Sequence, residues 1–241
     1  MIKKFIKKVL NSFGWTLIKI NRTRQEGYAY DKPNLKNIEC ILNSRGILHL
    51  GGHRGKEAEI YNWFNKKVVW IEAIPEIFEE LKINVSNYHN QRAVKALLGE
   101  KNIKNVDFYI SNKDQSCSSI FNLSENVKKG LLWEKHKVEM IKKIKLDMQT
   151  LDTICEKEQI NLRNYDHWIV DLQGAELHTL RGAKKNLKFC NSLSVEISKK
   201  NFYERGSTSW NELKKFLYNN NFNLILEPQE DHCDVLFIRK N

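Results

Sequence analysis

Residues 46–55 read "GILHLGGHRG", an apolar stretch that ends in closely spaced glycines. The glycines of the turn are Gly51, Gly52 and Gly55. They stand between a predicted strand and a predicted helix, where glycine lets the backbone turn sharply and approach a ligand. The dinucleotide pattern G-x-G-x-x-G would need glycine in place of Leu50, so that pattern is absent. The stretch leaves three interpretations: a phosphate-binding turn, a turn for another nucleoside cofactor, or a metal site built from His49 and His53.

Apolar runs of strand length alternate with amphipathic stretches of helix length over most of the chain. The strand candidates are "GILHLG", "KVVWIEA", "AVKALLG", "VDFYISN", "HWIVDL", "SLSVEIS", "FNLILE" and "DVLFIRK". The helix candidates are "KEAEIYNWF", "PEIFEELKINV", "TLDTICEKEQI", "AELHTLRGAKKNL" and "SWNELKKFLYNN". This alternation is typical of an α/β protein with a mostly parallel, doubly wound sheet covered by helices.

The end of the chain narrows this prediction. Only "PQEDHC" separates the last two strand candidates, which is too short for a crossover helix, so we expect an antiparallel C-terminal hairpin. A doubly wound, Rossmann-like sheet with such a hairpin indicates the class I methyltransferase fold. Residues 112–166 do not follow the alternation, and we predict that they are an insertion between the third and fourth core strands. Ligands of open α/β sheets bind at the carboxyl ends of the strands, so this insertion is placed to cover the active-site edge.

An acidic residue ends the second strand. Glu72 follows Gly51 at the distance where an acid accepts hydrogen bonds from ribose hydroxyls in nicotinamide and S-adenosylmethionine sites alike. The pair therefore predicts a nucleoside cofactor without choosing between the two. The spacing from Gly51 to Gly55 suits a turn around the amino-acid part of S-adenosylmethionine.

The stretch "WIVDLQGAELHTLRGA" forms a second candidate site. Asp171 ends a predicted buried strand, Gly174 permits close approach of the backbone, and Glu176 falls in the first turn of the next helix. Structural roles are the alternative, because Asp171 would cap that helix and Glu176 would complement its dipole. Glu196 ends the following strand and should face the same crevice. Three carboxylates at one edge predict a general base, a metal site or the polar end of a substrate site.

Composition predicts a single domain over residues 31–241, preceded by a basic arm, 1–30. The chain has 241 residues, 41% of them hydrophobic, with only 3 prolines. Its 5 cysteines contain no CxxC pair and read as reduced thiols, so we expect a cytoplasmic protein.

The net charge of +11 is concentrated at the N-terminus. Residues 1–25 alternate lysines with apolar residues at helical spacing, which predicts a basic amphipathic helix. Such a helix either contacts an anionic membrane, which would place the protein at its inner face, or packs on the domain and exposes its lysines to water.

Six stretches occur in the order expected of the FkbM family of S-adenosylmethionine-dependent methyltransferases. They are "ILHLGGHRGKEAEIYNW", "VVWIEAIPEIFEELKINV", "DFYISNKDQSCSSI", "KLDMQTLDTI", "DLQGAELHTLRGA" and "VEISKKNFYERG". The chain resembles this family from about Gly46 to Arg239. The resemblance implies a class I methyltransferase fold and O-methylation of a hydroxyl, often on a sugar or a glycosylated natural product. The chain departs from the commonest form of the family at His49 and His53, and it has Gln173 where an acid is frequent.

The resemblance also implies roles for individual residues. Around the methionine part of the cofactor it would place Gly51, Gly52, His53 and Gly55. Glu72 would bind the ribose and Ala73 the adenine edge, with Ala96 and Leu97 beneath the adenine. Ser116, Ser118 and Ser119 would donate to the cofactor carboxylate or the substrate, with a solvated loop as the alternative.

A sugar hydroxyl is a weak nucleophile, so methyl transfer to it benefits from a general base. The candidates are Asp171 and Glu196, with His53 as a third because imidazole titrates near neutrality. His49 we interpret as a buried core histidine.

The remaining site predictions concern the substrate and a metal. Asp171 would also bind the cofactor. A sugar, nucleotide-sugar or glycan acceptor would contact Gln173, Glu176, Tyr203 and Trp210, where an aromatic ring would stack on a sugar face. A divalent metal stays open, with the ligands Asp171, Glu176 and Glu196, although no compact metal-binding motif exists.

Three other functions are alternatives to sugar O-methylation. A nucleic-acid methyltransferase would use the positive charge, but the Asn/Asp-Pro-Pro-aromatic motif for base amines is absent, and we expect no nucleic-acid partner. A nicotinamide oxidoreductase is disfavoured by Leu50 and the closing hairpin. A non-catalytic, membrane-associated protein would keep the fold and lose cofactor affinity.

Overall fold

A computed structural model describes residues 32–130, 137–225, 227–228 and 230–240. The chain divides into two units, Met1–Lys36 and Asn37–Asn241. Apart from the start of the helix Lys32–Asn43, the features below belong to the second unit. The predicted amphipathic helix at residues 1–25 lies outside the described residues. Within the described ranges, no helix is both long enough and apolar enough to cross a membrane.

The strands of the described chain are β1 (Gly46–Leu50), β2 (Lys67–Glu72), β3 (Gln91–Lys95), β4 (Leu97–Leu98), β5 (Ile103–Ser111), β6 (Met140–Gln149), β7 (His167–Val170), β8 (Ser192–Ser198), β9 (Phe222–Leu224) and β10 (His232–Arg239). The helices are α1 (Lys32–Asn43), α2 (Ala58–Trp63), α3 (Pro75–Val85), α4 (Glu125–Lys128), α5 (Leu151–Lys157), α6 (Glu176–Arg181) and α7 (Trp210–Asn219).

The main sheet has seven strands in the order β3-β2-β1-β7-β8-β10-β9. Strands β3, β2, β1, β7 and β8 are parallel, and β10 runs antiparallel to both β8 and β9. This order confirms the predicted class I methyltransferase sheet with its antiparallel C-terminal hairpin. The chain leaves β1 in one direction towards β2 and returns on its other side as β7, so the topological switch point lies between β1 and β7.

Local signals set the ends of several helices. Pro75 opens α3 at a position where the missing N–H has no helical partner to lose. The hydroxyl of Thr150 accepts a hydrogen bond from the backbone N–H of Thr153 and caps α5, and Ser209 caps α7 in the same way through Glu212.

The two faces of the sheet bury separate cores. Leu48, Leu50 and Trp168 face the larger core, whereas Ile47 and Trp70 face the other, as the alternation of side chains along each strand requires. Both tryptophans are fully buried.

A second sheet, in the order β4-β6-β5, lies between β3 and β7 along the chain. It confirms an insertion between the third and fourth core strands. It also includes β5, which contains most of the stretch "VDFYISN". The alternation placed this stretch among the core strands. The strands outside the main sheet therefore begin before residue 112, where the insertion was predicted to start. Strand β5 pairs with β6 through a register shift between Ile103 and Val106, and most of its side chains are not buried. Alternation alone does not distinguish such a strand from a core strand.

Candidate functional site

A cavity of about 250 Å³ opens at the carboxyl ends of β1, β2 and β7, beside the switch point. Ligands of open α/β sheets bind at this position. Residues from the sequence prediction that line it are Gly51, Gly52, His53, Glu72, Ala73, Ala96, Ser116, Asp171 and Gln173. The structure therefore brings together residues from four strand ends and from the loop after β5.

The glycine turn is held against neighbouring backbone. The N–H groups of Gly51 and Gly52 both donate to the carbonyl of Ile71, each at 2.9 Å. Gly51 has φ +86°, and an added Cβ would lie 1.8 Å from the carbonyl oxygen of Asp171. Only glycine fits there, and the contact joins the end of β1 to the end of β7.

Gly55 does not line the cavity. It has φ +68°, and an added Cβ would lie 2.8 Å from Cδ1 of Leu81 on α3. The structure thus gives this glycine a packing role between the turn and α3, in place of the predicted contact with the cofactor.

Glu72 is buried at the end of β2, and its carboxylate organises the next turn. Oε2 accepts from the N–H of His53 at 2.9 Å, and Oε1 accepts from the N–H groups of Ala73 and Ile74, both at 2.8 Å. Burial raises the pKa of this carboxyl above its ordinary value, against the effect of these amide bonds. An ionised carboxylate has about four acceptor positions, so one remains for a ligand hydroxyl.

The loop after β5 is fastened to the glycine turn. Nε2 of His53 lies 2.9 Å from the backbone oxygen of Asp114, and Nη1 of Arg54 lies 2.8 Å from the Asp114 carboxylate. Arg54 also pairs with Glu80 on α3. His53 lines the cavity, and its ring is engaged with this loop.

The serines of the same loop have different roles. Ser116 lines the cavity, as does Ser118, whose hydroxyl bonds the backbone of Ser111 and Gln115. Ser119 is buried away from it, and its hydroxyl donates to the backbone oxygen of Gln173 at 2.7 Å. Ser118 and Ser119 therefore fix the loop, and Ser116 is left as the one with a predicted ligand role.

A hydrogen-bonded cluster joins the ends of β7 and β8. The side-chain nitrogen of Gln173 donates to Oδ1 of Asp171 at 2.6 Å and to Oε2 of Glu196 at 2.7 Å. Gln173 therefore bridges the two carboxyl groups. Burial, with the repulsion of nearby acids, raises the pKa of Asp171 well above its ordinary value and that of Glu196 to about 8. The pair therefore holds at least one proton near neutral pH.

Glu176 takes no part in this cluster. Its Oε1 accepts from the N–H groups of Leu172 at 3.1 Å and Gly174 at 2.9 Å, so it holds the loop between β7 and α6. Burial raises its pKa to about 7. Among the described residues, no group of three or more His, Cys, Asp or Glu side chains is arranged to hold a metal ion. The three carboxylates considered as metal ligands therefore do not form one centre.

Two predicted substrate residues lie at a smaller, neighbouring cavity. Tyr203 and Trp210 line it together with Glu176, Glu196 and His232. The hydroxyl of Tyr203 donates to Oε1 of Gln173 at 2.7 Å, and the ring is buried. The Trp210 ring packs against Phe237 in the core. Tyr203 is thus part of the Asp171–Glu196 cluster, and Trp210 contributes mainly to packing.

His49 has the structural surroundings of a core residue. Its ring stacks on Trp70 with centroids 4.5 Å apart, and Nδ1 lies 3.3 Å from the hydroxyl of Tyr61. Burial lowers its pKa to about 3, so the ring is neutral at physiological pH.

Sequence reasoning missed several residues around the crevice. His232 contacts Glu196, and Asp234 pairs with Glu196 in the register of β10 with β8. The hairpin was predicted, but "DHCDV" carries no signal for which strand it would join. Leu98, Phe108 and Ile120 form part of the cavity wall, and they come from the second sheet and its following loop, which the alternation did not separate.

The lining is chemically suited to S-adenosylmethionine. Glu72 offers an acceptor for ribose hydroxyls, and the apolar groups of Ala96, Leu97 and Phe108 suit the faces of an adenine ring. The carboxyl oxygens of Glu72 and Asp171 in the lining suit a cofactor that carries a sulfonium and an ammonium group.

Comparisons with solved structures find proteins of similar architecture. A magnesium protoporphyrin IX methyltransferase from Synechocystis with bound S-adenosylhomocysteine is 8% identical, with a TM-score of 0.45 over 99% of each chain. A SAM-dependent methyltransferase from Aquifex aeolicus is 12% identical, with a TM-score of 0.45 over 86% of this chain and 88% of that chain. The M. capricolum protein TrmK in complex with S-adenosylhomocysteine is 10% identical, with a TM-score of 0.41 over 88% of this chain and 70% of that chain. All three TM-scores lie below 0.5, so the fold assignment rests on the strand order.

No curated protein matches this chain. The model of the methyltransferase FkbM domain matches residues 49–224, a range that runs from the end of β1 to β9 and contains every residue of the Asp171–Glu196 cluster. The match covers well over half of the 241 residues, and the chain therefore belongs to the FkbM family of methyltransferases, which use S-adenosylmethionine as methyl donor.

Proposed function

We propose that the protein transfers the methyl group to a hydroxyl of a sugar or glycan. The observation that carries this proposal is the partly buried carboxyl pair Asp171–Glu196, bridged by Gln173 at the edge of the cofactor cavity. An alcohol must lose its proton as the new bond forms, and a base of raised pKa is suited to take it near neutral pH. The family resemblance supports a sugar as the carrier of that hydroxyl.

S-adenosylmethionine, when bound, supplies an activated methyl group for in-line displacement. The residues of this chain then have three tasks. Glu72 orients the ribose at the end of β2, the loop carrying Ser116 covers the cavity and excludes water, and the Asp171–Glu196 pair accepts the hydroxyl proton. We place the acceptor above Asp171 and Gln173, where the cofactor cavity meets the β8 side of the sheet.

The assignment of Asp171 and Glu196 is favoured over that of His53. The imidazole of His53 is bonded to the Asp114 backbone and to the guanidinium of Arg54, so both contacts draw it away from an acceptor hydroxyl. The two carboxyls lie beside Gln173, which holds them near each other without neutralising them. Neither carboxyl is directly paired with a lysine or arginine among the described residues.

The test is transfer of labelled methyl from S-adenosylmethionine to a panel of glycans, nucleotide sugars and RNA, with and without chelator. We expect methylation of a sugar hydroxyl that persists in chelator and falls by about a hundredfold or more in Asp171→Asn or Glu196→Gln. Calorimetric titration with S-adenosylhomocysteine is the control that each variant still binds the cofactor. Methylation of RNA alone, or full activity in both variants, would overturn the proposal.

Contact of residues 1–25 with an anionic membrane is a further prediction, in which glycan acceptors would be met at the inner membrane face. Co-sedimentation with phosphatidylglycerol vesicles, compared with phosphatidylcholine vesicles, tests it. Equal recovery with both kinds of vesicle would contradict it.

A further inference from the structure

His232 lies on the outer side of the carboxyl pair. In β10 it stands opposite Ser198 of β8. Two residues further along β10, Asp234 stands opposite Glu196. Its Nε2 lies 3.1 Å from Oε1 of Glu196. The side chain of His232 is 32% exposed and that of Glu196 is 18% exposed, so this contact is the more open end of the cluster.

The other oxygen of Glu196 faces inwards. Oε2 accepts from the side-chain nitrogen of Gln173, which also donates to Oδ1 of Asp171, and Asp171 lines the cofactor cavity. Glu196 and His232 line the smaller neighbouring cavity. Asp171, Glu196 and His232 thus form a continuous series of titratable groups from one cavity to the other.

The groups around His232 influence whether its ring is protonated. The charged groups that face it are acidic: Asp171 at the end of β7, Glu176 on α6, Glu196 on β8 and Asp234 on β10. Lys200 lies along the same cavity and is paired with Asp231, and the edge of the His232 ring meets Phe202 at 5.4 Å between centroids.

Burial lowers the pKa of His232 despite these acids, whereas that of Glu196 is raised to about 8. Near neutral pH the imidazole is therefore neutral, and its Nε2 can accept the proton of the Glu196 carboxyl. A neutral acceptor beside a protonated carboxyl is the arrangement that a proton relay requires.

We propose that His232 receives the proton which the acceptor hydroxyl gives to the Asp171–Glu196 pair and passes it to solvent. This inference rests on the proposed function. The hydroxyl oxygen forms its bond to the methyl carbon while the carbon–sulfur bond breaks and its electron pair stays on sulfur. The hydroxyl proton moves to the carboxyl pair, then from Glu196 to Nε2 of His232, and then to water. The pair thereby returns to its starting protonation state for the next turnover.

The first test requires no acceptor. In the protein with ¹⁵N-labelled histidine, we expect the ring nitrogens of His232 to show a chemical-shift inflection near pH 8 that reports the Glu196 carboxyl. Glu196→Gln should abolish this inflection. An inflection that persists in the variant, or a His232 ring that titrates identically in both proteins, would overturn the relay.

The second test uses the sugar acceptor that the methylation panel identifies. His232→Ala should lower kcat by about tenfold or more while KM for the acceptor changes little, and free imidazole should restore kcat in a saturable manner. His178→Ala is the matched control, because His178 is also partly exposed but bonds the backbone oxygen of Gly206. We expect it to keep full activity and to gain nothing from imidazole.

The two proposals fail differently. A panel without any methylated sugar overturns the proposed function, whatever His232 does. Methylation of a sugar with unchanged kcat in His232→Ala, or a loss that imidazole does not restore, overturns the relay and leaves the proposed function intact.

Discussion

The hydroxyl oxygen of Tyr203 lies 2.7 Å from the side-chain oxygen of Gln173, and this bond fixes which end of the amide faces the carboxyl pair. With the oxygen held by Tyr203, the amide nitrogen directs its two hydrogens to Asp171 and Glu196. In the reverse orientation the amide oxygen of Gln173 would face the carboxyl oxygens of Asp171 and Glu196, which are also acceptors. Tyr203 is thereby a positioning residue for the proposed base, although it lies outside the cofactor cavity.

Tyr203→Phe should misplace that amide. The buried oxygen of Gln173 loses its donor, which costs about 1–3 kcal/mol of unfolding free energy, and methyl transfer to the sugar falls with the ordering of the pair. Urea denaturation and labelled-methyl transfer measure the two effects. Tyr218→Phe, at a 39% exposed tyrosine, is the control. Equal stability and equal activity in both variants would show that the hydroxyl of Tyr203 is dispensable.

Gly51→Ala should be among the most destabilising single changes in the chain. The methyl group would meet the Asp171 carbonyl, and the backbone would also be strained at φ +86°. Gly206→Ala separates the two effects, since Gly206 has φ +105° but an added Cβ meets only Phe121 at 3.5 Å. We expect a loss of about 1–2 kcal/mol in the control and at least about 3 kcal/mol in Gly51→Ala, by urea denaturation. Similar losses would mean that the turn shifts away from β7 at little cost.

Glu72→Gln should weaken cofactor binding and the turn together. An amide nitrogen cannot accept, so one of the N–H groups from His53, Ala73 or Ile74 loses its partner. We expect the Kd for S-adenosylhomocysteine to rise by about tenfold, or about 1.4 kcal/mol, in calorimetric titration. Glu59→Gln, at an exposed glutamate of α2, removes the same charge and should bind normally. An unchanged Kd in Glu72→Gln would remove this carboxylate from the cofactor site.

Glu196→Gln should change the pH dependence of stability. Because the pKa of Glu196 is raised from 4.5 to about 8 in the folded protein, the folded state holds a proton across this interval that the unfolded chain releases. The unfolding free energy of the wild type therefore falls as pH rises through the interval. The variant lacks this proton, so its stability relative to wild type should increase with pH, by at most about 1.4 kcal/mol per pH unit.

Urea denaturation from about pH 5 to about pH 8 measures this difference, because this range lies between the pKa of Glu196 in the unfolded chain and its raised pKa in the folded protein. Glu79→Gln, at an exposed position of α3, should follow the wild type throughout. A constant difference between Glu196→Gln and wild type would mean that the carboxyl is already ionised in the folded protein at low pH.

Periodicity and turn residues were sufficient to predict the main sheet. Strands β1, β2 and β7 are short apolar runs that end at or just before a glycine or an acid, and "PQEDHC" limits the last connection to a hairpin. The second sheet could not be predicted in this way. Strand β5 has the same local pattern as a core strand, and its partner β6 is identified only by long-range pairing, such as Phe108 with Ile144.

The candidate site was predictable to the same extent. The positions of Glu72, Asp171 and Glu196 at strand ends follow from parallel strands whose carboxyl ends share one edge. The directions of their side chains do not follow from sequence. Glu176 turns to backbone amides, whereas Gln173 bridges two acids because its backbone adopts φ 51°, a conformation that sequence does not announce for glutamine.

The pairing of β1 with β7 also sets the order in which the molecule can assemble. Ile47 stands beside His167, about 120 positions later in the chain, and the whole second sheet is made between them. On a ribosome, β1, β2 and β3 emerge early and can associate with one another, but β1 keeps one edge unpaired until β7 has left the exit tunnel. Closing so long a loop is slow, and the crevice between β1 and β7 is the product of that step. The nascent protein therefore acquires its cofactor-binding cavity only after about two thirds of its residues have been synthesised.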